Sequence, residues 1–434
     1  MVGTDGGRVR PRPPLVGSLA VVACALAGAY AAVLVVLLPA QVAALAPDDK
    51  VRALGFVSTL SFALTIAAQP LVGALSDRTR GRHGRRVPWA VGGALAAAVA
   101  LLCLGEASSV AALAALWVVA QVALNALDVA TSAVVPDEVP APRRGRAYGL
   151  IGLGAVTGGA VAVLTVGRAT DRPGTAYAAV ALVVVLATAA FVVVDGRRRR
   201  AGDAAPPPVV AAQAPFWRGL LVDPRRERRF TEAFVSRLLF VLAYHLVYQY
   251  QLYVLTDHVG LPAPEAGRVV GVLTATAFGA ILVSVLVTGW WSDRVGTRTP
   301  FLVGSCALLA AALLVPVAVP TVAGMAVFAV LKGLAFGAHV ASGTALVTEV
   351  LPEGGASAGK DLGLYNVATN VPQTLAPALA AVVIAQLGGY AALFATASAV
   401  AVLALVVGVR LARGTRRPAD DHADRVPVAD ATST

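Results

Sequence analysis

Apolar runs of about 20 residues recur along this chain from Val16 to Val409, and each can cross the ~30 Å hydrocarbon layer of a bilayer as one helix. They are rich in Ala, Val, Leu and Gly and show weak helical amphipathicity, as expected of helices in lipid. Only 14% of the 434 residues are charged, against roughly a quarter in a soluble domain. A soluble all-α protein cannot bury so many apolar runs in its interior. The chain is therefore predicted to be an integral membrane protein.

The runs divide into two groups of six. The first six predicted spans lie at 15–39, 51–75, 89–105, 110–135, 147–167 and 175–195. The other six lie at 231–255, 266–291, 300–316, 319–348, 361–386 and 389–411. The predicted fold is all-α, with twelve transmembrane helices in two pseudo-symmetric six-helix bundles, 15–195 and 231–411.

The segment between the bundles, 196–230, is rich in Arg and Pro. This composition predicts a linker, with a short interfacial helix around 216–222. The tails, 1–14 and 412–434, are predicted to be disordered.

Basic residues cluster in alternate loops. They gather in both tails, in the 196–230 linker and in the loops 76–88, 136–146 and 292–299. The positive-inside rule then predicts a multi-pass protein of the cell membrane with both termini in the cytoplasm. Because the net charge of +11 is spread over short loops, it does not predict a nucleic-acid partner.

An internal repeat relates the two halves. Residues 73–78 read Gly-Ala-Leu-Ser-Asp-Arg after span 2, and 289–294 read Gly-Trp-Trp-Ser-Asp-Arg after span 8. Parallel repeats of this kind predict an axis along the membrane normal, with a binding site between the halves near mid-membrane.

The first of these loops resembles the signature cytoplasmic loop of the major facilitator superfamily. Its long insert before Gly84-Arg85-Arg86, followed by Pro88-Trp89, is similar to the sucrose-transporter-like and glycoside–pentoside–hexuronide cation symporter branches. The resemblance runs over nearly the whole chain. It implies a secondary transporter that works by alternating access. No phosphate-binding loop with its lysine is present, so ATP is not expected as the energy source, and no cofactor or metal is expected.

The repeated loops carry acids and arginines that can pair across the cytoplasmic mouth. We predict a gating latch there, which holds the halves together when the outside is open. Alternatively, these arginines serve only to set topology. The predicted gating residues are Gly73, Asp77, Arg78, Arg85, Arg86, Asp293, Arg294 and Arg298.

Asp128 is a carboxyl group in the middle of span 4, with Asn125 and Ser132 on the same helix face. Asn125 is predicted to bind substrate. A charge at the bilayer centre costs about 2.5–3.5 kcal/mol on insertion scales, which makes it a functional candidate. A partly dry cavity favours the neutral form of a carboxyl group, which suits a proton-binding site. The stretch resembles the fourth helix of sucrose transporters, and the resemblance implies that Asp128 takes the coupling proton. The alternative is a static hydrogen bond between helices.

Two cations also lie within predicted spans. Arg237 can snorkel to the cytoplasmic surface or reach the cavity. Lys332 lies deeper in span 10, where it can pair with an acid such as Asp128 or bind an anionic substrate.

Polar and aromatic side chains at helical spacing complete the predicted substrate site. In span 7, Tyr244, Tyr248 and Gln249 are predicted to line the cavity, because aromatic faces beside amides suit sugar rings. Tyr250 and Tyr253 are expected in an interfacial aromatic belt instead. His339 in span 10 adds a polar group, although a single membrane histidine is as often a hydrogen-bonded core residue.

Span 11 carries a ridge of amides, Asn366, Asn370 and Gln373, beside Pro372. It resembles the corresponding helix of the sucrose-transporter-like branch. We predict that the amides bind substrate or take part in gating.

One stretch of span 5 departs from the sugar-transporter resemblance and favours a second function, drug or metabolite efflux. Gly154, Gly158 and Gly159 in span 5 are close to the antiporter motif of drug exporters, but Ala155 stands where that motif has proline. A Gly-rich packing seam is the simpler interpretation.

The leading hypothesis is proton-coupled uptake of a sugar or glycoside by a monomer in the lipid bilayer, and the alternative is proton-driven efflux of a drug or metabolite. A membrane receptor would need a large extramembrane domain, and an enzyme would need a nucleophile–base pair or a metal set.

Overall fold

The structure is a computed structural model that describes residues 13–79, 84–169, 172–200, 228–350 and 358–414. Side chains at 13–14, 141, 344–350 and 358–366 are outside this description. Eleven helices of the described chain are long and apolar enough to cross a membrane, and a bent pair makes a twelfth span. The predicted all-α fold of twelve transmembrane helices is confirmed.

The N-terminal half contains spans 1 to 6. Span 1 begins as helix Pro13–Ala31, continues as the π-helical segment Ala32–Leu37 and ends as helix Leu38–Leu45. Spans 2 to 6 are Lys50–Arg78, Val87–Gly105, Val110–Ser132 with the short helix Val134–Glu138, Ala141–Val166, and Pro173–Arg200.

The C-terminal half contains spans 7 to 12. Span 7 consists of helix Arg228–Leu246, the short helix Gln251–Tyr253 and the π-helical segment Val254–His258. Spans 8 to 12 are Ala263–Val295, Thr299–Ala318, Val322–Val350, Ala358–Gln386 and Gly389–Gly414.

Span 7 differs from its predicted form, a continuous helix over 231–255. Its two parts meet at an angle of 46°. At the break, the Gln251 side-chain Nε2 donates to the Tyr248 carbonyl at 2.9 Å, in place of a backbone amide of a regular helix. A side chain that inserts into the backbone ladder is a recognised cause of a kink.

The predicted linker also starts later and ends earlier than expected. Span 6 continues to Arg200 and span 7 begins at Arg228. Within span 6, Arg199 Nε lies 2.6 Å from Asp195 Oδ2 one turn earlier, and such a pair supports a helix. The predicted interfacial helix at 216–222 lies outside the described residues, as do 1–12 and 415–434.

Two pairs of spans make the most extensive contacts between the halves. Span 2 packs on span 11, and span 5 packs on span 8. Under the internal repeat, span 2 corresponds to span 8 and span 5 to span 11, so the two seams are equivalent contacts. The end of the molecule where span 6 ends and span 7 begins is called the linker face here. The opposite end, where span 2 begins at Lys50, is called the distal face.

Span 5 packs on span 1 through glycines within the N-terminal half. A Cβ added to Gly158 would overlap the backbone carbonyl of Cys24, and one on Gly154 would overlap that of Ala20. Close helix packing explains both glycines in full, which favours the packing-seam interpretation of this stretch.

Candidate functional site

Asp128 presents an exposed carboxylate deep inside the N-terminal half. It lies about 15 Å from the linker-face end of span 4, at a rise of about 1.5 Å per residue. It faces away from Val119, which lines an apolar groove between spans 2, 3 and 4. Tyr30 of span 1 lies beside Asn125 and interacts electrostatically with Asp128. Within the described part of the chain, the Asp128 carboxylate has no hydrogen-bond or ion-pair partner, so the static hydrogen bond considered above is not formed there.

The C-terminal half contains an aromatic cluster. The Tyr244 ring lies 4.4 Å from the Phe336 ring and 6.0 Å from the Tyr248 ring, centroid to centroid. Spans 7 and 10 place these rings side by side because each contributes aromatic residues at helical spacing. The cluster forms a broad apolar face with hydroxyl groups at its edge.

Lys332 lies against this cluster and is only 1% exposed. Its Nζ is 5.4 Å from the centroid of the Tyr244 ring and 5.0 Å from that of Phe328. Among the described residues, no carboxylate comes within 4.0 Å of this nitrogen, so the predicted option of a pair with Asp128 is not formed. Two cation–π contacts contribute about 0.5–2 kcal/mol each, less than the several kcal/mol that burial of an ion costs.

His339 is fully buried behind the cluster. Its ring stacks on Phe240 at 3.7 Å, and its Nδ1 lies 3.2 Å from the Ser305 hydroxyl. Its Nε2 is buried with no hydrogen-bond partner among the described residues. The structure therefore places His339 in the packed core of the C-terminal half rather than on an open surface.

The remaining predicted substrate residues lie on spans 7 and 11. Gln249 is buried at the break in span 7, and its Oε1 has no partner within the described chain. Asn370 and Gln373 are half-buried on span 11, while the side chain of Asn366 lies outside the description. Nearby, Arg237 Nε donates to Thr369 Oγ1 at 3.0 Å, so Arg237 ties span 7 to span 11.

Charged residues of the first repeated loop pair with one another on the linker face. Arg86 lies 2.8 Å from Asp77 and 3.2 Å from Asp137, and Arg85 lies 2.7 Å from Asp137. In this conformation these pairs stay within the N-terminal half. Arg78 is exposed on the same loop. The latch across the mouth stays a prediction for the opposite conformation.

The second repeated loop shows similar local pairing. Arg298 lies 3.4 Å from Asp293, and the Arg294 guanidinium sits 3.7 Å above the Trp290 ring.

On the N-terminal half, Arg198 lies 2.7 Å from Glu138, which ties span 6 to span 4.

The distal face carries a latch that the sequence analysis missed. Lys50 Nζ lies 2.7 Å from Asp257 Oδ1, and the Tyr390 hydroxyl donates to Asp257 Oδ2 at 2.7 Å. Lys50 begins span 2, Asp257 lies near the end of span 7 and Tyr390 near the start of span 12. The Lys50–Asp257 pair therefore joins the halves, and Tyr390 holds Asp257 from within the C-terminal half. These three residues are called the distal latch below. The sequence holds one signal of this latch. Lys50 and Asp257 are opposite charges near the ends of two spans, and the loops at those ends carry few charges.

Two tyrosines seal the same face, and the predicted aromatic belt is wrong for both. Tyr250 and Tyr253 are fully buried. The Tyr250 hydroxyl donates to the Pro377 carbonyl at 2.8 Å and the Tyr253 hydroxyl to the Pro39 carbonyl at 2.8 Å. Each hydroxyl thus has a backbone acceptor, Pro377 in a neighbouring span and Pro39 in the other half.

The seams between the halves are tight toward the distal face. A Cβ added to Gly55 of span 2 would lie 2.9 Å from Ala381 Cβ of span 11, and one on Gly271 of span 8 would lie 2.5 Å from the Val163 carbonyl of span 5. Toward the linker face, a Cβ added to Gly73 or Gly289 meets no atom of the described chain within 4 Å. Among the described glycines of spans 2 and 8, the close contacts between the halves therefore lie toward the distal face.

This arrangement of two six-helix halves agrees with a sequence comparison. The profile of the Major Facilitator Superfamily matches residues 18–272 and 252–430. The chain belongs to the major facilitator superfamily. It is a multi-pass membrane transporter of a small molecule and not an enzyme.

Solved structures of several transporters share the fold of this superfamily member. A mutant of the nucleoside transporter NupG is 13% identical, with a TM-score of 0.68, and the match covers 92% of this chain and 98% of NupG. A POT family transporter in complex with 5-aminolevulinic acid is 11% identical, with a TM-score of 0.73, and the match covers 96% and 99%. A bacterial homolog of the human lysosomal transporter Spinster, inward-facing and unoccupied, is 15% identical, with a TM-score of 0.61 and coverage of 94% and 96%. Among curated proteins, none matches the chain by sequence.

Proposed function

We propose that the protein takes up a sugar or glycoside together with protons, by alternating access in the cell membrane. The observation that carries this proposal is the exposed carboxylate of Asp128, which has no partner within the described residues and lies deep inside the fold. The resemblance of the 73–89 loop to the sucrose-transporter-like and glycoside–pentoside–hexuronide branches supports the substrate class.

Asp128 is proposed to couple the proton to substrate movement. As a carboxylate it favours a water-filled cavity, because burial of an unpaired charge is costly. A bound proton removes that cost, so the halves can close around the site. The proton then travels with the substrate and leaves when water reaches Asp128 on the other side.

The conformation supports a site that is reached from the linker face. If both termini and the linker are cytoplasmic, as proposed from the positive-inside rule, this structure is the inward-open state. The distal latch closes the outer side. Asp77 and Asp293, which pair within their own halves here, are proposed to exchange partners and form the inner latch when the cycle reverses.

Sugar binding is proposed for the aromatic cluster and the amides that flank it. Tyr244, Tyr248 and Phe336 offer ring faces to the apolar side of a sugar. Asn370 and Gln373 on span 11 carry both donors and acceptors for its hydroxyl groups. The protein is proposed to act as a monomer, because each half contributes one side of the site.

The test is uptake of radiolabelled sucrose, maltose and trehalose into proteoliposomes under an imposed inward proton gradient. Wild type is compared with Asp128→Asn, and Glu265→Gln, an exposed acid of span 8, serves as the matched control. We expect gradient-driven uptake by wild type and Glu265→Gln and none by Asp128→Asn. Gradient-driven uptake by Asp128→Asn at the wild-type rate would remove Asp128 from the coupling step.

Transport direction is tested in the same vesicles. Proton-driven efflux uses the same acid, but its substrate moves against the proton flow. Uptake of none of the three sugars, with extrusion of a preloaded fluorescent drug, would replace the symport proposal with antiport.

A further inference from the structure

Lys332 is a buried cation for which the described structure holds no counter-ion. It lies about 15 Å from the distal end of span 10 at Val322, at about 1.5 Å per residue, and hence near mid-membrane. Its neighbours are the rings of Tyr244 and Phe328. His245, which also interacts with Lys332, has its Nδ1 2.9 Å from the Val241 carbonyl and carries no negative charge.

A buried ammonium without an anion is costly, and proteins normally supply a carboxylate nearby. Here the acids of the described C-terminal half are engaged or peripheral. Asp257 is held by Lys50 and Tyr390, and Glu232 lies 3.0 Å from Arg228. Glu265 and Asp293 are exposed. No acid of the described C-terminal half is therefore placed to neutralise Lys332, and Asp128 of the other half does not lie within 4.0 Å of its Nζ.

The transported solute itself can supply the missing charge. We propose that Lys332 binds a carboxylate of the substrate, so that the protein transports an organic acid with a hydroxylated, sugar-like body rather than a neutral sugar. This inference rests on the proposed function as a proton-coupled transporter and narrows its substrate class. A carboxylate and the ammonium form a charge-assisted hydrogen bond, which is about twice as strong as a neutral one.

The Tyr244 ring determines access to this cation. Lys332 is almost fully covered, and the buried Tyr244 ring lies 5.4 Å from its Nζ and 4.4 Å from the half-buried Phe336 ring. The carboxylate reaches Nζ when the Tyr244 ring turns aside, and the displaced ring then covers the body of the solute. Binding of the solute carboxylate by Lys332 is thus coupled to stacking of the solute body on the Tyr244 ring.

The test is proton-driven uptake of glucuronate and gluconate beside the neutral sugars sucrose, maltose and trehalose, in proteoliposomes of wild type, Lys332→Gln and Lys332→Arg. Arg268→Gln removes an exposed cation of span 8 and is the matched control. Size-exclusion profiles and thermal unfolding verify that each variant is folded. We expect wild-type uptake of the sugar acids, a rise in KM of about 10- to 100-fold in Lys332→Gln, partial rescue in Lys332→Arg, and no change in Arg268→Gln.

Three other outcomes separate this inference from the proposed function. Uptake of neutral sugars without sugar acids overturns the inference and leaves sugar symport intact. Uptake of sugar acids with an unchanged KM in folded Lys332→Gln also overturns it, and assigns Lys332 a structural role under the aromatic cluster. Uptake of neither class overturns both.

Discussion

Replacement of Asp257 by asparagine is predicted to open the distal face. Asp257 accepts hydrogen bonds from Lys50 Nζ, Tyr390 Oη and Thr256 Oγ1, each at 2.7 Å. The first two partners belong to spans 2 and 12, and Lys50 is in the other half. Asparagine keeps the size of the side chain and one acceptor oxygen, so the substitution removes mainly the charge.

The size of the effect follows from the exposure of the pair. The side chains of Lys50 and Asp257 are 24% and 29% exposed, so solvent screens part of their attraction, and such pairs contribute about 0.2–1 kcal/mol. The bond from Tyr390 lies within the C-terminal half, so it adds nothing to this difference. A loss of about 0.2–1 kcal/mol changes the ratio of the two conformations by about 1.4- to 5-fold in favour of the distal-open state.

Distance measurement between spin labels tests this shift. Labels on Asp48→Cys and Leu387→Cys, exposed positions of the two halves at the distal face, report its opening once Cys24, Cys103 and Cys306 have been replaced. We expect Asp257→Asn to gain a population at longer distance and Glu265→Gln to match wild type. A distance distribution in Asp257→Asn identical to wild type would show that the latch does not stabilise this conformation.

Two further predictions concern stability. Gly158→Ala forces a Cβ into the Cys24 carbonyl and should destabilise the N-terminal half by about 1–3 kcal/mol, which a lower Tm would show. As the control, the Cβ of Gly152→Ala meets no described atom and should leave Tm within error. Equal Tm values for the two variants would refute the packing argument. Glu138→Gln removes the negative charge 2.7 Å from the buried Arg198, while Asp195 stays at 4.0 Å. The substitution should cost about 1–3 kcal/mol, measured by thermal unfolding in detergent, and an unchanged Tm would mean that Asp195 suffices as the counter-charge of the arginine.

The twelve spans could be predicted from the sequence because a bilayer imposes a length and an apolar composition on each helix, regardless of its neighbours. Asp128 stood out for the same reason, since a charge in an apolar run is conspicuous. Its accessibility in the fold could not be predicted, because that depends on how spans 1 and 4 and the opposite half are arranged.

The distal latch was beyond sequence reasoning. Lys50 and Asp257 are 207 residues apart in the chain, and neither belongs to a recognisable pattern. Tyr250 and Tyr253 carry the composition of an interfacial belt, yet the Pro377 and Pro39 carbonyls draw them into buried contacts. The break in span 7 lies at the hydrogen bond of the Gln251 side-chain amide, and hydrophobic periodicity does not predict such a bond.

That break divides span 7 into two mechanical parts. The longer part, Arg228–Leu246, carries Tyr244 and is packed against spans 10, 11 and 12. The shorter part, from Gln251 to His258, carries Tyr253 and Asp257, which seal the distal face. A small rotation at the four residues between them can lift the seal while the binding surface stays in place. A solute can thus be enclosed or released on that side before either half moves as a whole, and substitutions that retune the seal need not disturb the residues that choose the solute.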